Sequence, residues 1–93
     1  MPWVEEIRVR VMDMNITFLQ KALLTELVKT KFQERFLQAI RIMKHHTVET
    51  DFAIFLEWSS DECPAEGSTI SRQLTQILAS YGIIHRSIWE ELK

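Results

Sequence analysis

Arg8, Arg10, His45, His46, Trp58, Cys63 and His85 are the side chains of this sequence best suited to chemistry. Trp58 offers an indole donor and a flat face for an aromatic ligand, although a Trp at a strand end serves a core or an interface equally well. Arg8 and Arg10 stand two apart. On a strand they share a face with Met12 and can hold a phenolate or carboxylate through charge-assisted hydrogen bonds. The plainer reading of that pair is a solvated or dimer-paired side. His85 supplies an imidazole fit for general-base work, or simply a satisfied strand residue. Arg8, Arg10, Trp58 and His85 together make the candidate ligand pocket, and no residue is assigned a catalytic role.

Metal and nucleophile chemistry find less support. His45 and His46 are adjacent, so on a strand they point to opposite faces and do not jointly hold one metal from one side. With His85 as a third ligand a zinc site is conceivable, but none of the recognised Cys or His spacings occurs, and no metal is expected. Cys63 lies beside Asp61 and Glu62, an acidic setting that raises a thiol pKa and argues against a nucleophile. There is no Gly-rich phosphate loop, no Gly-x-Ser-x-Gly and no His-Glu-x-x-His.

Strands and helices must position these groups. From Val4 to Met12 the chain alternates, with Ile7, Val9 and Val11 on one side and Glu6, Arg8, Arg10 and Met12 on the other, which predicts a strand with one buried face. Ile16, Leu19, Leu23, Leu27 and Val28 then fall along one helical stripe, with Asn15 as the cap. The stretch from Lys31 to His46 also carries a helical spacing. A break near Phe32 to Phe36 and a strand from about Gln38 to His45 are preferred, because the aromatic run Phe52 to Trp58 is a strand that needs a neighbour. Their connection lacks an Asn-Gly or Asp-Gly signal. Pro64 and Gly67 mark Ser59 to Ser68 as a loop. Ile70, Leu74, Ile77, Leu78 and Tyr81 predict a second helix, capped by Ser68 or Ser71, with Gly82 left-handed just past its end. Ile83 to Trp89 closes as a strand.

The totals set limits on this reading. Ninety-three residues without a dividing Pro, Gly or Ser stretch predict a single domain over residues 1–93. A hydrophobic share of 46% against 26% charged is that of a globular chain, not a disordered one. The net charge of -2, with scattered cations, argues against nucleic acid, and no strand carries the paired aromatic and basic motif of an RNA-binding βαββαβ domain. Apolar runs are far shorter than the ~20 residues that span a bilayer, and no basic segment precedes an apolar one as in a signal peptide. A lone cysteine agrees with a reducing compartment, so a cytoplasmic location is expected.

The order βαββαβ makes an α+β, ferredoxin-like arrangement: a four-stranded antiparallel sheet with both helices on one face. The other face is bare. Since Phe52, Ile54, Leu56 and Trp58 alternate with Ala53 and Phe55, both sides of the third strand are apolar, and Ile88 or Trp89 adds to the second face. A monomer would expose more aromatic surface than soluble domains usually carry, which predicts a homodimer closed through the open sheet face.

With Phe55-Leu56-Glu57-Trp58-Ser59-Ser60 and Gly82-Ile83-Ile84-His85-Arg86-Ser87-Ile88-Trp89, the chain resembles the antibiotic-biosynthesis-monooxygenase-like members of the dimeric α+β barrel superfamily. The first is similar to that family's third strand, ending in an acidic residue and a Trp before the second helix. The resemblance implies two sheets packed face to face, a cavity between sheet and helices in each subunit, and oxidation of polyketide aromatics or quinols without metal or flavin. Heme-degrading relatives need an Asn on the first strand and a His on the second helix. Here Arg8 and Arg10 occupy the strand, the helix from Ile70 to Tyr81 lacks a His, and Trp58 alone corresponds. Two functions follow as expectations: a cofactor-independent monooxygenase of an aromatic or quinol-like compound, or a non-catalytic dimeric module that binds a small molecule or a protein.

Overall fold

A computed structural model describes residues 2–12 and 35–92, together with Lys21 and Thr25. The helix expected over Ile16 to Val28 falls outside the described residues except for those two, where the Thr25 hydroxyl donates to the Lys21 carbonyl at 3.1 Å. Four strands and one helix follow in the order β1 (Trp3–Val11), β2 (Leu37–Lys44), β3 (Asp51–Trp58), α1 (Thr69–Leu78) and β4 (Gly82–Glu90). All pairings are antiparallel and the spatial order is β2-β3-β1-β4, compatible with a ferredoxin-like α+β fold. Each expected strand is present within one or two residues of its anticipated bounds.

Alternation decides which side chains meet. Trp3, Glu5, Ile7, Val9 and Val11 of β1 are buried on one face, in line with Phe52, Ile54, Leu56 and Trp58 of β3. Helix α1 brings Ile70, Leu74 and Leu78 onto that face, packed against β1 and β4. Ile7, Ile54, Leu56 and Leu78 are wholly buried, and each such side chain contributes about 1.5–3 kcal/mol of burial free energy. Ile77, expected on the same helical stripe, faces solvent because the buried row runs at intervals of four, through 70, 74 and 78.

The β2–β3 hairpin closes without a glycine turn. His45 replaces it: Nδ1 accepts from the backbone N–H of Thr47 at 3.1 Å and of Val48 at 3.0 Å, while the His45 N–H donates to the Asp51 carbonyl at 2.9 Å. A ring nitrogen thus does the turn-stabilising work usually done by an Asn or Asp side chain. On edge strand β2 a bulge between Leu37 and Ala39 breaks the register.

Ser68 caps α1, its hydroxyl accepting from the Ser71 N–H at 3.1 Å while the Ser71 hydroxyl donates to the Ser68 carbonyl at 3.0 Å. The expectation for Gly82 needs correction. Gly82 is not left-handed; it is the first residue of β4, opposite Val11, and Ala79 ends the helix in the right-handed region. The left-handed glycine is Gly67, with φ +84°, just before the cap.

Candidate functional site

The face of the sheet turned away from α1 gathers three of the four candidate residues. Strand register sets Met43 of β2, Ala53 of β3, Arg8 of β1 and His85 of β4 in one row across the sheet. Ala53 is the small member of that row on an inner strand, and the larger side chains around it border an open hollow of about 600 Å³. Arg10 stands one pleat further along, where Nε and Nη2 donate to the two Asp51 oxygens at 2.9 and 3.0 Å. Hydrogen bonding from Arg10 holds the Asp51 carboxyl below its ordinary range, and the same bond raises the guanidinium. Arg8 has no such fork. Its Nε lies 4.0 Å from Glu6, whose carboxyl also accepts from the Trp89 indole at 3.4 Å.

Trp58 faces the other way and does not join Arg8, Arg10 and His85. Its ring stacks on that of Trp3, its register partner, with centroids 5.4 Å apart and planes 11° from parallel. The Trp58 indole N–H donates to Glu5 Oε1 at 2.8 Å, and the Trp3 indole to the Ser60 hydroxyl at 3.1 Å. Trp3 and Trp58 also line a second hollow of about 630 Å³, with Phe36, Ser60, Glu62 and Thr69 among its walls.

Glu5 is the polar residue that sequence reasoning passed over. It is 2% exposed, and its two oxygens accept from the Trp58 indole, the Ser68 N–H at 2.9 Å and the Ser68 hydroxyl. The carboxyl therefore ties β1 to the end of β3 and to the cap of α1. Gly67 lies against it so closely that a Cβ there would sit 2.6 Å from Glu5 Oε2 and 2.5 Å from Arg86 Nη2. Arg86 closes the cluster, donating from Nη2 to the Glu66 carbonyl and the Ser71 hydroxyl, each at 2.9 Å. The signal was in the strand itself, since Glu5 is in phase with Trp3, Ile7 and Val9.

Cys63 is half-buried, and its thiol is pushed up by burial first and then by Glu90 and Glu5. The direction is the expected one, while the carboxyls responsible are not the neighbours Asp61 and Glu62. The thiol is expected to react with a neutral alkylating reagent at pH 7 more slowly than free cysteine, and Glu90→Gln to speed it by about twofold to fivefold. Thiol labelling timed by mass spectrometry checks this; wild-type labelling at the free-cysteine rate would contradict it.

Among the described residues no three His, Cys, Asp or Glu side chains are grouped to hold a metal ion. His45 Nδ1 is occupied by backbone donors, which removes that nitrogen from ligation. No helix among the described residues is long and apolar enough to cross a membrane. No family model and no curated protein matches this chain.

Proposed function

We propose that this chain is a cytoplasmic, non-catalytic binding module that works as a homodimer, with two open sheet faces packed on each other as in the dimeric α+β barrels it resembles. The observation that carries this reading is the apolar surface left on that face: Met43, Ile83 and Trp89 are 54, 61 and 60% exposed, with a half-buried Phe55 among them. Area supports it as well. At about 3.3 Å per residue and 4.8 Å per strand, a nine-residue, four-stranded face measures about 30 by 19 Å. That is at most about 570 Å² of flat sheet, the larger part of the ~800 Å² per partner of a stable interface.

The oxygenase activity that the resemblance implies would use the Trp58 indole on substrate. That N–H is given to Glu5, and the module reading asks nothing of it. Ile83→Glu tests the interface, because it places a carboxylate among the exposed apolar side chains near one corner of the face, on edge strand β4, while leaving the buried core untouched. The expected result is a dimer weakened by about tenfold or more in sedimentation equilibrium. A variant that dimerises as tightly as the parent would count against this face.

A further inference from the structure

We propose that the hollow over Ala53 is a binding site for an aromatic carboxylate held between the two copies, an inference that rests on the homodimer reading. Closing two sheets face to face takes Arg8 out of water, and its ion pair within the chain is the 4.0 Å approach of Nε to Glu6. A guanidinium enclosed without a close counter-charge is costly. Arg10 meets no such difficulty, because Asp51 neutralises it through two hydrogen bonds. An anion in the hollow would do for Arg8 what Asp51 does for Arg10.

The shape of the hollow narrows the class of anion. Ala53 leaves a depression that its own side chain does not fill, and the hollow of about 600 Å³, open on the face of the single chain, has room for a small molecule. Met43, Phe55 and Ile83 supply apolar walls for a ring. Arg8 presents a planar fork that matches a carboxylate, with His85 beside it in register. His45 adds a donor to the lining: with Nδ1 accepting from two backbone N–H groups, the ring proton resides on Nε2. Of the two acidic side chains in the lining, Asp51 is engaged by Arg10, and Glu6 accepts from the Trp89 indole at 3.4 Å.

Calorimetric titration of the full chain with benzoate, with benzamide as the neutral isostere, tests the site. Native mass measured on the same samples reports the dimer. Benzoate should bind saturably to the dimer, with benzamide weaker by about tenfold or more, and Arg8→Gln should dimerise but lose benzoate by a similar factor. A dimer that ignores benzoate, that takes benzamide equally well, or that keeps benzoate in Arg8→Gln overturns the site and leaves the homodimer standing. A chain that stays monomeric with and without benzoate overturns the homodimer reading and this inference with it.

Discussion

Glu5→Ala is expected to lower the unfolding free energy by about 3–5 kcal/mol, a large part of what a domain of this size holds. The substitution deletes the acceptor for three buried donors at once: the Trp58 indole N–H, the Ser68 N–H and the Ser68 hydroxyl. Each donor left unpaired away from water costs about 1–3 kcal/mol, and the lost side chain also opens space between β1 and the α1 cap. Urea denaturation measures the loss. Glu5→Gln keeps the shape and one carbonyl acceptor but turns an amide toward donors, so its loss should fall between that of alanine and the parent. An alanine variant within about 1 kcal/mol of the parent would mean that water replaces the carboxyl and that the cluster is not a structural tie.

Gly82→Ala should cost about 1–3 kcal/mol for a different reason. A Cβ at this position would lie 2.0 Å from the Arg10 carbonyl oxygen and 2.8 Å from the Arg10 carbonyl carbon, both backbone atoms of the neighbouring strand. No rotamer change relieves such a contact, so the start of β4 must move off β1. The hydrogen bond from the Met12 N–H to the Tyr81 carbonyl at 3.1 Å lies at the same junction and should weaken with it. Hydrogen exchange is the measurement, with faster exchange at Met12 and along the start of β4 expected. Unchanged protection there would show that the strand end absorbs the methyl group.

Both effects bear on how far the sequence was legible. Period-two alternation revealed β1 because burial on a pleated sheet imposes that period directly, an unbroken apolar and aromatic run revealed β3, and helical spacing revealed α1 while placing Ile77 on the wrong side. The β2–β3 hairpin was reached by requiring a partner for an aromatic strand. Its turn stayed hidden because a histidine ring, outside the usual turn vocabulary, supplies the acceptor. Gly82 was misjudged for a related reason: a glycine after a helix commonly ends it, yet here it is the closeness of β1, a contact distant in sequence, that requires the absence of a Cβ.

The site was legible in part. Arg8, Arg10 and His85 could be grouped once β1 and β4 were paired, since register alone puts Arg8 opposite His85. Trp58 was separated from them by strand phase, because it shares the inward face with Phe52, Ile54 and Leu56. Glu5 shows the limit of composition-based reasoning. A glutamate near the start of a strand reads as a solvated charge until its phase is compared with that of Ile7 and its partners arrive from residues 58 and 68.

The central claim is that a second copy covers the open sheet face. Mass spectrometry under non-denaturing conditions tests it most directly. The account predicts a species at about 22 kDa, twice the 11.0 kDa of one chain, that shifts toward 11.0 kDa in Ile83→Glu. A parent chain that stays at 11.0 kDa at every concentration tried would contradict the account.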